Sequence, residues 1–169
     1  QVMEPLRIAG VPRAEAARRA KAVLEELGVV NAEARMRAYP HEFSGGMRQR
    51  VVLAMALISD PSLIIADEPT TALDVRVQEQ VLTLMDKVSK ERGLAVLLIT
   101  HDLGTVAGFT DRVAVMYSGR KVDEGTVDTL FARPAHPYTQ GLLQAVPRID
   151  QTVPRLLTIA GAPPHPANR

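Results

Sequence analysis

Two short apolar runs constrain this chain more than any other feature. Leu63-Ile64-Ile65-Ala66 lies between Pro61 and Asp67-Glu68-Pro69, and Leu94 to Ile99 lies between Gly93 and Thr100-His101-Asp102. Runs this short and apolar predict strands buried on both faces, as in a parallel sheet. Between them Asp74 opens a helical pattern, with Val77, Val81, Leu84 and Val88 as its apolar positions. Strand, helix, strand in that order predicts an α/β fold built on parallel pairing.

The flanking segments extend the same alternation. Residues 11–28 predict a capped helix: Pro12 sits in a first turn that tolerates it. Ala17, Ala20, Leu24 and Leu27 recur at helical spacing, and Gly28 can take the left-handed end. A polar loop follows through Tyr39-Pro40-His41-Glu42. Ser44-Gly45-Gly46 then leads into a second helix with Val51, Ala54, Met55 and Ile58 on one face, stopped at Asp60-Pro61. Beyond the second strand the pattern predicts a short helix around Leu103 to Ala107. A hairpin of Arg112–Tyr117 and Lys121–Glu124 turns through Ser118-Gly119, and Thr126 caps a helix to Ala132. Seven of the twelve prolines fall within the last 36 residues, which predicts an irregular, largely extended tail from Pro134 onward.

Composition narrows the possible functions. Hydrophobic residues at 46% and charged residues at 23% describe a globular chain. Twenty basic residues against nineteen acidic ones leave no excess for gripping nucleic acid. The lack of cysteine removes disulfides, thiolate metal sites and cysteine nucleophiles together. The longest apolar run, Val51 to Ile58, is far short of the roughly 20 residues that cross a bilayer. Residue 1 is Gln and the opening residues read as the middle of an element, so the polypeptide is expected to extend upstream.

Three places carry chemistry. Asp67 and Glu68 stand directly after a strand, at the sheet edge where α/β proteins place ligands. One carboxylate there can hold a hydrated Mg²⁺, and the other can polarise a water for attack on phosphorus. A strand that simply meets solvent would look the same. Ser44-Gly45-Gly46-Met47 puts glycines and unpaired amides at a helix entrance, which suits a phosphate; an ordinary helix cap would also read this way. His101 follows the second strand and should emerge at the edge that carries Asp67 and Glu68. A structural hydrogen-bonding role is equally open to it, as helix capping is to Asp74.

The joint spacing is more specific than its parts. With 22 residues between Ser44 and Asp67, then Thr71-Ala72-Leu73-Asp74, then His101 after a strand, the series resembles the ATP-binding-cassette (ABC) ATPases. Phe43-Ser44-Gly45-Gly46-Met47 is similar to their signature motif, with Phe for the commoner Leu and Met for the commoner Gln. Leu63 to Glu68 resembles Walker B with its glutamate, Thr71 to Asp74 the D-loop with Thr where Ser is usual, and His101 the switch histidine. The match runs from about residue 39 to about residue 125. Tyr39 through Arg50, together with His136-Pro137-Tyr138-Thr139, resembles the oligopeptide/dipeptide importer branch.

That resemblance implies a P-loop NTPase-type parallel sheet, with residues 1–43 in a helical subdomain, 44–132 in the ATPase core and 133–169 in a Pro-rich C-terminal extension. It implies ATP and Mg²⁺, with Asp67 holding the metal through water, Glu68 activating water and His101 on the γ-phosphate. Ser44, Gly45, Gly46 and Met47 would bind the nucleotide of a second ATP-binding subunit, identical or paralogous, and Asp74 would lie at the interface between the two. The further partners implied are integral membrane permease subunits and, indirectly, an external solute-binding protein, with no nucleic acid. The implied location is peripheral, on the cytoplasmic face of the plasma membrane.

No Gly-Lys-Ser or Gly-Lys-Thr string occurs, so the phosphate-cradling P-loop is missing. The chain is therefore expected to be the C-terminal portion of a longer subunit, with an incomplete sheet, poor stability and no ATP hydrolysis of its own. Two rival readings fit the same motifs less well. A DNA-repair ABC ATPase would carry coiled-coil insertions or zinc cysteines, and neither is present. A truncated partner-binding protein would have no need of Glu68 and His101.

Overall fold

A computed structural model describes residues 1–146 and Ile159. The chain divides into two compact units, Gln1–Ile99 and one beginning at Thr100.

The first unit opens with helices α1 (Glu4–Ile8), α2 (Arg13–Glu26) and α3 (Ala32–Arg35), then a single 3-10 turn at Pro40–Glu42. Helix α4 (Gly45–Leu57) leads to strand β1 (Leu63–Asp67), and α5 (Val75–Arg92) leads to β2 (Ala95–Ile99). In α2, Ala16, Ala20, Val23 and Leu24 are buried, one stripe at helical spacing. Gly28 ends it at φ +71, with its N–H donating to the Glu25 carbonyl and the Val29 N–H to the Leu24 carbonyl. That pair of bonds is a Schellman cap, which needs a left-handed residue. A Cβ here would come within 2.7 Å of Arg50 Nη1, so the end of that side chain would have to move. The same guanidinium donates to the Leu27 carbonyl at 2.7 Å, so α4 closes the end of α2. Arg92, at the end of α5, reaches Glu26, Asp60 and the Leu57 carbonyl and ties three element ends together.

Strands β1 and β2 pair in parallel, Leu63 against Ala95 through to Asp67 against Ile99, as the sequence predicts. Burial on both faces is not observed. Ile64 and Ala66 are buried, but Leu63 is 50%, Ile65 62%, Leu97 50% and Ile99 45% exposed. In-register partners share a face, so these four side chains form one apolar surface. The strands alternate because the described residues cover the sheet on one side only.

The second unit contains α6 (Leu103–Phe109), β3 (Arg112–Tyr117), β4 (Arg120–Thr126), α7 (Val127–Ala132) and α8 (Pro137–Ala145). The hairpin forms as expected: Ser118 at φ +51 and Gly119 at φ +79 make the two-residue primed turn that matches strand twist. Thr126 caps α7 by accepting from the Thr129 N–H. The largely extended tail is corrected by α8. His136 Nδ1 accepts from the Tyr138 N–H, and Pro137 occupies the first turn, where its missing N–H costs nothing. Pro147, Pro154, Pro163, Pro164 and Pro166 lie outside the described residues.

Helix α8 is fastened to the hairpin by one carboxylate. Asp123 Oδ2 accepts from the N–H groups of Ala135 at 3.1 Å and His136 at 3.0 Å. Tyr138 packs on Tyr117 with ring centroids 4.4 Å apart, and Thr139 is 1% exposed. The Thr139 hydroxyl favours the charged form of Asp123 but falls short of hydrogen-bond geometry.

The His136 N–H bond, first among several, holds the Asp123 carboxyl below its ordinary value of 3.8. A depressed folded-state pKa contributes stability that is present above the unfolded value and lost as pH falls through the folded one. Hydrogen exchange should therefore show the Ala135 and His136 amides protected at neutral pH and losing protection below pH 3.8. Asp123→Asn should expose both amides at neutral pH while leaving the β3–β4 amides protected. Unchanged exchange at 135 and 136 in that variant would show that the carboxylate does not fasten α8.

Candidate functional site

Parallel pairing brings the ends of β1 and β2 to one sheet edge. Asp67 is the last residue of β1, paired with Ile99, and is exposed. Glu68 continues the ladder for one more residue, its N–H donating to the Ile99 carbonyl at 2.9 Å. The backbone then reverses. Glu68 has φ +48 and Ala72 φ +64, two left-handed residues in a five-residue stretch, neither of them glycine. Left-handed backbone costs a residue with a side chain about 1–2 kcal/mol, and such residues gather where a site imposes them.

The turn is closed by its own hydrogen bonds. The Thr71 N–H donates to the Glu68 carbonyl at 3.2 Å, and the Thr71 hydroxyl donates to Glu68 Oε2 at 3.0 Å. Asp74 then caps α5, its carboxylate accepting from the Val77 N–H at 3.0 Å. The capping role left open for Asp74 is thus present in the structure.

Ser44 caps α4 in the same manner, Oγ accepting from the Met47 N–H at 3.3 Å. Accepting leaves the hydroxyl hydrogen able to donate outward. Ser44 is exposed, and Gly45, Gly46 and Met47 are half-buried. The glycines have a packing reason that spacing does not reveal. A Cβ at Gly45 would meet Leu73 Cδ2 at 3.1 Å, and one at Gly46 would meet Val77 Cγ1 at 2.6 Å. The structure therefore sets the tip of α4 against the Thr71–Asp74 loop and the first turn of α5. That loop also holds the Glu68 carboxylate.

His101 follows β2 by two residues and lies at the start of the second unit, one residue after Thr100. Both of its neighbours are committed to the turn into α6. Asp102 accepts from the Gly104 N–H and the Thr105 hydroxyl, and Thr100 Oγ1 accepts from the Asp102 N–H.

The donor chemistry fits a hydrated Mg²⁺. Asp67 supplies an exposed hard oxygen, and no three His, Asp or Glu among the described residues are grouped to hold a metal unaided. An ion bound by one carboxylate plus waters and phosphate oxygens needs no such cage. Elsewhere in the first unit, Val29, Met36, Phe43, Val51, Val52 and Met55 help line an apolar cavity of about 220 Å³. Arg35 stacks over Phe43 at its edge, 5.4 Å from the ring centre. No described helix is long and apolar enough to cross a membrane.

Comparison with known proteins gives a consistent pattern. Residues 2–71 match the family described as ABC transporter, and residues 122–169 match the family described as oligopeptide/dipeptide transporter, C-terminal region. The chain is 51% identical over 166 residues to the oligopeptide transport ATP-binding protein OppD of Salmonella typhimurium, covering 98% of this chain and 50% of that protein. It is 48% identical to the dipeptide transport ATP-binding protein DppD of Lactococcus lactis, covering 99% of this chain and 49% of that protein. The chain thus spans about half the length of the curated relatives it matches. Among solved structures, cbiO1 of Clostridium perfringens, part of the ABC transporter complex cbiONQ, superposes with a TM-score of 0.69 at 28% identity. That match covers 79% of this chain and 52% of cbiO1.

The contact of Gly46 with Val77 yields a reversal of sign. Gly46→Ala should destabilise the protein by about 1–3 kcal/mol, the usual penalty for overpacking. In a Val77→Ala background the same change should be neutral or mildly stabilising, since alanine is the better helix former. Urea unfolding of the four proteins checks this. Equal effects of Gly46→Ala in both backgrounds would contradict the contact.

Proposed function

The chain belongs to the ABC transporter family, in its oligopeptide/dipeptide branch, and on that premise we propose that it is the C-terminal part of a subunit that hydrolyses ATP to drive import of peptides or a related solute. One observation carries the reading. A pair of carboxylates stands at the end of a parallel strand, and the Thr71–Asp74 loop beyond it touches both the Glu68 carboxylate and a capped glycine helix tip.

In this reading two such subunits close head to tail on ATP. Residues 1–43 belong to the helical subdomain, 44–132 to the ATPase core and 133–169 to the branch-specific extension. Asp67 would hold Mg²⁺ through water, and the ion would offset phosphate charge. Glu68 accepts a proton from water as its oxygen attacks the γ-phosphorus and the bond to ADP breaks. His101, assigned by its place in the motif, donates to a γ-phosphate oxygen. Ser44, Gly45, Gly46 and Met47 present amides and a hydroxyl to the nucleotide held by the neighbouring subunit, favoured by the positive end of α4. Asp74 lies at that interface.

The membrane-bound permease subunits dock on the helical region, where the cavity beside Phe43 and Val51 offers an apolar seat. They place the subunit peripherally on the cytoplasmic face of the plasma membrane. An external solute-binding protein acts through them.

General-base assistance contributes about 10²–10⁴ in rate. Glu68→Gln in the full-length subunit should therefore bind ATP normally and hydrolyse it at least about a hundredfold more slowly. Equilibrium nucleotide binding and phosphate release measured side by side check this, and near-normal turnover would overturn the assignment.

A further inference from the structure

We propose that Thr71 is a positioning residue for hydrolysis, its hydroxyl holding the Glu68 carboxylate in the orientation that lets it accept the proton of the attacking water. The inference rests on the functional reading above and assigns a role to a side chain that its place in the motif leaves without one.

The geometry carries it. Glu68 stands one residue past the strand, and its side chain has three rotatable bonds between backbone and carboxylate. Its backbone is pinned by the bond from its N–H to the Ile99 carbonyl and by the bond from the Thr71 N–H to its own carbonyl. Those two bonds fix where the side chain starts but not where the carboxylate points. The Thr71 hydroxyl acts on the carboxylate itself, donating to Oε2 at 3.0 Å.

Threonine suits this work. Branching at Cβ restricts χ1, so the hydroxyl is delivered with little loss of rotamer freedom. Because the backbones of residues 68 and 71 are already bonded to each other, the side-chain bond forms across a turn that is closed beforehand. A donated hydrogen bond occupies only one lone pair of Oε2. Productive orientation of a catalytic group is worth large factors in rate, and loss of it need not alter substrate binding.

The test uses the full-length subunit with its partner and permease subunits. Thr71→Val keeps the shape and removes the hydroxyl. It should lower kcat about tenfold or more, leave KM for ATP and nucleotide affinity within twofold, and keep the melting temperature. Thr71→Ser restores the donor and should recover most of the rate. In a Glu68→Gln background Thr71→Val should add no further loss, because the group it orients is gone. Turnover of Thr71→Val within twofold of the parent would overturn the proposal. So would a Thr71→Ser variant as slow as Thr71→Val, which would assign the effect to the methyl group. If Glu68→Gln itself turned over normally, the catalytic reading would fail first; if Glu68→Gln is inactive and Thr71→Val is normal, only the role of Thr71 falls.

Discussion

The candidate site depends on the parallel pairing of β1 with β2. That pairing sets Asp67 opposite Ile99, and the ladder runs one residue further, to the Glu68 N–H on the Ile99 carbonyl. Both strands thereby end at one edge, and the chain leaves β1 there through the loop that begins with the acidic pair. A slip of one residue would turn every side chain of β1 to the other face and take Asp67 and Glu68 with it. The chemistry is therefore anchored in main-chain hydrogen bonds.

Around that edge the local rules are conventional, and their combination makes the site. Ser44, Asp74, Asp102 and Thr126 each cap a helix with a side-chain oxygen. The glycines of the α4 tip let Leu73 and Val77 approach to where a Cβ would lie 3.1 Å and 2.6 Å from them. The six residues between Glu68 and α5 touch both the carboxylate, through Thr71, and the tip, through Leu73. Leu63, Ile65, Leu97 and Ile99 form an apolar sheet face that the described residues leave exposed.

Much of this was legible in the residues. The two strands, the helix between them, the hairpin and the caps follow from apolar spacing and turn chemistry, and the motif series led to the family. Burial of β1 on both faces was misjudged, because an apolar run records what a strand can bury rather than what covers it. Proline density suggested an extended tail, yet His136 and Pro137 are a helix start. The left-handed backbone at Glu68 and Ala72 has no signature in those residue types. Pairings such as Arg50 with the Leu27 carbonyl, or Arg92 with Glu26, span 23 and 66 positions and leave no local trace. The hydrogen bond from Thr71 to Glu68 was within reach of inspection, three residues apart across a turn, but nothing in the spacing distinguishes it from an ordinary loop.

The central claim is that the α4 tip acts on a nucleotide held by a neighbouring subunit. Light scattering on the full-length Glu68→Gln subunit, in the presence of its partner, tests it most directly. Addition of ATP should produce a stable dimer, and a further Ser44→Arg change should abolish that dimer while each subunit still binds ATP with unaltered affinity. Loss of ATP binding by the isolated Ser44→Arg subunit, or a dimer that persists despite the arginine, would place the tip in its own subunit's site or outside any site, and would contradict the account.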